Sequence, residues 1–271
     1  MRMKHKARLL VLLGGLAPAA PRPAVAAPSW QADWGDNVCS LIRAAEDPNA
    51  IILRIDSVPG TDLISVNLQH KKWAWASEGQ AADVALALDP GGVVPAKAAY
   101  SPNPLDRHPA LTLQVTGRFF LGQLAAARSL TVTQHGRPLA SFTLPLAAQA
   151  VSSLRACQRD ALTSWGIDAD AWFKLRSAPV AKQDLASLIG IDDYPSKALN
   201  GGVSGRVVIR LSVDATGTPT GCVATMSSDS SFDRDTCALF MKRARFRPAL
   251  DAEGRPVAAP LVTVVTWLTS S

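Results

Sequence analysis

The chain has 271 residues, 48% of them hydrophobic and 18% charged, a balance that excludes a wholly disordered polymer and a length that predicts two domains. Its formal net charge of +6 falls to +1 without the first 27 residues, which hold Arg2, Lys4, Lys6, Arg8 and Arg22 and no acid. A generally basic, nucleic-acid-binding surface is thereby excluded.

The N-terminus reads as a secretory leader. Basic residues up to Arg8 precede the apolar stretch Leu9 to Ala17, and small residues follow at Val25-Ala26-Ala27. Pro18, Pro21 and Pro23 interrupt the segment short of the ~20 apolar residues that a spanning helix needs. The expectation is a signal peptide over 1–27, with no membrane-spanning segment after cleavage.

From Trp30 to about Asp168, short apolar runs alternate with turn-forming residues: 51–55, 63–68, 84–88, 111–115, 130–133 and 139–144. Their lengths predict strands. Gln134-His135-Gly136-Arg137 predicts a hairpin turn, and Phe119, Leu121 and Leu124 predict a short helix. The clearest helix of this half is 146–162, where Ala150, Leu154, Cys157 and Ala161 share one face. Together these predict a mainly β N-terminal domain, 28–176, with a closing helix.

A linker is expected over 177–184, around Pro179, with a second domain over 185–271. Asp192-Asp193-Tyr194-Pro195 predicts a helix start and Gly201-Gly202 its stop. Val207, Ile209, Leu211 and Val213 then alternate with polar residues, predicting a half-buried strand. After a turn at 216–219, a second strand over 220–226 is expected to put Cys222, Ala224 and Met226 on one face. Ser230 and Asp233 have capping-box spacing before a helix with Cys237, Phe240, Met241 and Ala244 inward, stopped by Pro248. A hairpin-like 251–256 segment leads to a final strand, 261–268.

An even cysteine count in an exported chain predicts disulfides. Cys39 is expected to pair with Cys157, which would tie the start of the first domain to its closing helix, and Cys222 with Cys237, which would tie strand to helix, a reactive thiol pair being the alternative for the latter. No CxxC pair is present, so zinc or thioredoxin chemistry is not expected. His70, His108 and His135 are scattered, and Gly202-Val203-Ser204-Gly205 lacks the spacing of a hydrolase nucleophile elbow. No catalytic residue, metal or cofactor is expected. Trp73 and Trp75, beside Lys71 and Lys72, offer a carbohydrate or partner platform, with plain strand packing as the alternative.

Tyr194-Pro195, Gly205 before the long strand, Val207 to Val213, Gly217, Ser227-Ser228, Phe232-Asp233 and Arg245-Phe246-Arg247-Pro248 together resemble the C-terminal domain of the TonB energy-transducer family, over about 191–268. The resemblance implies an α+β domain of β-β-α-β order with an antiparallel sheet, placed in the periplasm and free of enzymatic activity. It also implies a last strand whose edge takes up an extended segment of an outer-membrane receptor or other envelope protein. Carried onto this sequence, the receptive edge is Val262, Thr263, Val264, Val265 and Thr266, with Pro260 lacking a donor at its start. Independently of the resemblance, Arg243, Arg245 and Arg247, with Lys242, form a basic cluster that could take an acidic partner, lipid headgroup or cell-wall polymer, with a solvated helix end as the alternative. A transducer's membrane anchor and long Pro-rich spacer are not apparent, so binding is the expectation, not force transmission. A structural or stress-related envelope protein using the fold as a scaffold is the alternative.

Overall fold

The computed structural model describes residues 30–35, 37–43, 51–70, 81–102, 109–116 and 118–269. The leader, Trp73, Trp75 and His108 lie outside these residues.

Nine strands form one antiparallel sheet: β1 (Trp30–Trp34), β2 (Cys39–Arg43), β3 (Ile52–Ser57), β4 (Leu63–Gln69), β5 (Ala81–Asp89), β6 (Val93–Pro102), β7 (Pro109–Thr116), β8 (Ser129–Gln134) and β9 (Arg137–Thr143). Their spatial order is β1-β2-β3-β4-β7-β6-β5-β8-β9. The sheet curls into a half-barrel. Its ends approach each other, since Trp30 Nε1 donates to Pro145 O at 2.8 Å and Arg43 Nε to Thr143 O at 3.3 Å. Period-two alternation drives the curl: Leu41, Leu53, Ile55, Val66, Leu86, Leu111, Leu113 and Leu130 are fully buried and share one core. On the other face Asp56 ties the strands together, accepting from Arg54 and Asn67, each at 2.8 Å.

Two helices enter that core. α1 (Phe119–Ala126) contributes Phe120, Leu121 and Leu124, and α2 (Ala147–Ser164) contributes Ala150, Val151, Leu154 and Cys157. The Cys39–Cys157 disulfide pins α2 to β2, and the buried Gln158 side chain donates to Ser57 Oγ. Cys39 lies within β2, not ahead of the first strand as its local sequence predicts, because β1 and β2 are short strands that gain their order from pairing. The predicted hairpin turn joins β8 to β9, with His135 and Gly136 both at positive φ.

After α3 (Ala169–Lys174), capped by Asp168 accepting from the Ala171 N–H at 3.0 Å, the chain enters its C-terminal half. The segment expected to be a linker carries β10 (Val180–Ala181). Two 3-10 turns follow at Leu185–Leu188 and Ile191–Asp193, then α4 (Ser196–Asn200), β11 (Gly205–Val213), β12 (Pro219–Ser227), α5 (Asp233–Arg243), β13 (Phe246–Arg247), β14 (Ala249–Leu250), β15 (Pro256–Val257) and β16 (Ala259–Trp267). β11 lies between β12 and β16 in an antiparallel sheet, while β10 pairs with β13 and β14 with β15. Far from spanning a gap, 176–182 is stitched along 245–250: Arg176 N–H donates to Leu250 O at 2.8 Å and Lys182 N–H to Arg245 O at 2.9 Å. The fold is thus α+β, a mainly β half-barrel with a closing helix followed by a β-β-α-β unit.

Candidate partner-binding edge

The second domain uses both faces of its small sheet. Val207, Ile209, Leu211 and Val213 point toward α5 and pack with Phe232, Phe240, Ala244 and Phe246. On the opposite face Val208, Val262 and Val264 pack against Leu162, Trp165, Ile167, Ala169, Trp172 and Ala178, the end of α2 and the segment carrying α3. Arg210, on that same face, donates through Nη1 to the Trp165 and Gly166 carbonyls, each at 2.9 Å, so a cation meets the C-terminal carbonyls of α2.

Met226 belongs to this second face, contrary to its predicted place beside Cys222 and Ala224. The cause is a bulge: Val208 pairs with Met226 but Ile209 pairs with Ala224, leaving Thr225 as an extra residue. One inserted residue exchanges the faces of everything beyond it. Cys222 and Ala224 keep their predicted place against α5, and the Cys222–Cys237 disulfide joins β12 to that helix.

The motifs that carried the resemblance act on this architecture. Gly205 lies under Phe232, where an added Cβ would sit 2.3 Å from the ring, and Gly217, at φ +87, would place a Cβ 1.9 Å from Phe246 O. Tyr194, Phe232 and Trp267 form one aromatic cluster with centroids 5.4 to 5.8 Å apart. Tyr194 donates its hydroxyl to Val203 O at 2.7 Å, and Trp267 Nε1 donates to Thr236 Oγ1 at 3.0 Å. Ser230 does not cap α5, which begins at Asp233; Asp229 instead accepts from the Ser231 N–H at 2.8 Å, holding the preceding turn. Asp193 does not cap α4 either, because its carboxylate is taken up by Arg243 and by the Gly190 N–H.

The predicted receptive strand is β16, and it is an edge. Among the described residues it pairs only with β11, Val262 standing opposite Arg210, Val264 opposite Val208 and Thr266 opposite Arg206. The Val262 N–H points away from β11, since it donates to Gly60 O at 3.3 Å. Antiparallel pairing alternates, so the N–H and C=O of Val264 and Thr266 also point outward, whereas Thr263 and Val265 spend theirs on β11. Among the described residues nothing bonds the outward backbone groups of Val264 and Thr266. The edge therefore has two parts. Its first half is closed by Pro260, which has no donor, and by Gly60; its second half is open among the described residues.

Gly60 sits in the β3–β4 turn, itself held from two directions. The neighbouring Asp62 accepts from the Ala178 N–H at 2.7 Å and forms an ion pair with Arg118 Nε at 2.8 Å. Arg118 lies over the Trp172 ring, 3.8 Å from its centroid, and donates to the Trp172 carbonyl at 2.6 Å. Burial pulls the Arg118 guanidinium below its ordinary value, with Asp62 opposing that shift. A cavity of about 260 Å³ lies beside this pair, walled by Ile64, Leu121 and Phe173.

The predicted basic patch is only partly a surface. Arg243 is turned inward, donating to Asp193 Oδ1 at 2.8 Å and to Leu188 O at 2.7 Å. Lys242, Arg245 and Arg247 remain exposed, Arg245 donating to the Ala244 carbonyl at 2.7 Å. Among the described residues no group of three His, Cys, Asp or Glu is placed to hold a metal, and no helix is long and apolar enough to cross a membrane.

Residues 192–267 match the family model of the Gram-negative bacterial TonB protein C-terminal. The match begins in the turn before Tyr194 and ends on the last residue of β16, so it takes in the β11-β12-α5-β16 unit and leaves the half-barrel outside. Domains of this family are non-enzymatic protein-interaction domains. No curated protein and no solved structure matches the chain.

Proposed function

From a TonB C-terminal domain over 192–267 as the premise, we propose that this chain is an exported, non-catalytic adaptor of the cell envelope that binds an extended protein segment by adding it as a strand to β16. The leader-like 1–27 sequence supports export to the periplasm, where the two disulfides would form and persist. The observation that carries the reading is the outward N–H and C=O of Val264 and Thr266. They offer four backbone groups to a docking strand, each bond worth about 1 kcal/mol net. The natural partner class is an outer-membrane receptor or other envelope protein with an extended segment. Exposed Lys242, Arg245 and Arg247 would favour acidic residues in it, as an aid to encounter more than to affinity.

Isothermal titration of the mature chain against receptor-type extended peptides tests this. Thr266→Pro is the control, because Thr266 is exposed and its N–H faces away from β11, so proline deletes an outward donor and leaves the inner ladder intact. Binding by the wild-type chain that Thr266→Pro weakens by roughly fivefold is the expected result; no binding to any peptide of the panel sinks the reading.

A second reading rests on the Gly60–Val262 contact. An edge partly covered by its own chain suits a structural envelope protein in which the TonB-like unit is a scaffold for the half-barrel. Under that reading the same peptides leave both forms untouched.

A further inference from the structure

The turn that reaches β16 has features beyond a chance crossing. Gly60 adopts φ +80, and an added Cβ would lie 2.5 Å from Val262 Cγ2, so only glycine brings this backbone close enough to accept the Val262 N–H. The Val262 side chain is fully buried in the seam between the two domains, whereas Thr266, further along the same strand, is exposed. The turn is anchored at its other end by one carboxylate, Asp62, which holds both Ala178 and Arg118. Among the described residues Arg118 has one carboxylate partner, Asp62, for its buried guanidinium, and it rests on Trp172, itself part of that seam. A single side chain thus connects the half-barrel, the inter-domain segment and the recognition edge.

We infer that the β3–β4 turn is a latch on the recognition edge. Shut, it occupies the Val262 end and confines a docking strand to Val264–Thr266; released from Arg118 and Ala178, it frees the outward groups of Val262 and lengthens the strand that can dock. The inference rests on the strand-addition reading for its purpose, but the latch itself is a contact within this chain and can be measured without any partner. Opening exchanges Gly60 O for a ligand carbonyl at the Val262 N–H, and adds the Val262 carbonyl as an acceptor. The net gain to a docking strand is about one backbone hydrogen bond, or roughly fivefold in affinity.

Two variants open the latch from opposite ends. Asp62→Ala removes the anchor, and Gly60→Ala drives the turn off Val262; each is checked for folding by its circular dichroism, so that loss of one leaves the other to decide. Residue-resolved amide hydrogen exchange on the full chain is the first readout. The Val262 amide is expected to exchange at least about tenfold faster in each folded variant, with the inner-ladder amides of Leu211 and Val265 unchanged. Titration with the extended peptides is the second, with binding about fivefold tighter in the variants. An unchanged Val262 rate in a folded variant overturns the latch, and so does faster exchange with unchanged peptide affinity. Faster exchange with no peptide binding in any form supports the latch and removes the strand-addition reading.

Discussion

Arg243 grips Asp193 with both terminal guanidinium nitrogens, Nη2 meeting Oδ1 at 2.8 Å and Nη1 meeting Oδ2, and the same Nη1 donates to Leu188 O. One side chain near the end of α5 thus fastens the two 3-10 turns through which the chain enters the second domain. Arg243, joined by the Gly190 N–H, holds the Asp193 carboxyl below the usual carboxylate range. A carboxyl lowered in the folded state stabilises above its unfolded value, near pH 4, and that contribution disappears as pH falls through the folded value. Thermal melts should therefore show wild type losing its advantage over Arg243→Gln as pH is lowered below about 4, with the gap constant from there to pH 7.

Gly217, one of the glycines of the resemblance, should differ sharply from a glycine in open space. Gly217→Ala meets Phe246 O at 1.9 Å besides adopting a positive φ, while Gly136, also at positive φ, has nothing within 4 Å of its added Cβ. Urea unfolding should show a loss of about 1 kcal/mol for Gly136→Ala and at least about 2 kcal/mol for Gly217→Ala.

Trp172 is the largest side chain shared by the seam and the latch. Trp172→Ala should cost about 3 to 5 kcal/mol by leaving a cavity among Val208, Val262 and Ile167 and by removing the ring on which Arg118 rests. Calorimetry is expected to show one unfolding transition in the wild type and two in this variant, as half-barrel and second domain part company.

Each disulfide closes a loop of known size, 118 residues apart for Cys39–Cys157 and 15 for Cys222–Cys237. Loop-closure entropy assigns them about 5 and about 3 kcal/mol. Paired Cys→Ser variants should rank in that order in urea, with the Cys39/Cys157 variant losing the seat of α2 on β2.

What was legible beforehand follows physical locality. The alternation of Val207 to Val213 reads directly as a half-buried strand, and the inward cysteines of β12 and α5 read as partners, because both signals are contained within a few residues. The bulge at Thr225 was invisible, since a single extra residue leaves composition and turn signals unchanged while reversing the face of Met226. β6 carries no clear strand signal, because Pro95 and its alanines weaken the pattern, and its order comes from β5 and β7 on either side. The 177–184 segment resembles a linker locally, and only its pairing with 245–250 makes it part of the fold. The strand proposed as receptive is the edge strand β16, but its division into closed and open halves depends on Gly60, which lies far away in the sequence.

The seam has a practical consequence for anyone who would cut this protein where family boundaries suggest. A fragment beginning near residue 185 would shed Leu162, Trp165, Ile167 and Trp172, and with them the cover over Val208, Val262 and Val264. A bare β-branched face beside an unpaired edge is a template for self-association. Binding seen with such a fragment would report on adhesive surfaces that the intact chain keeps sealed.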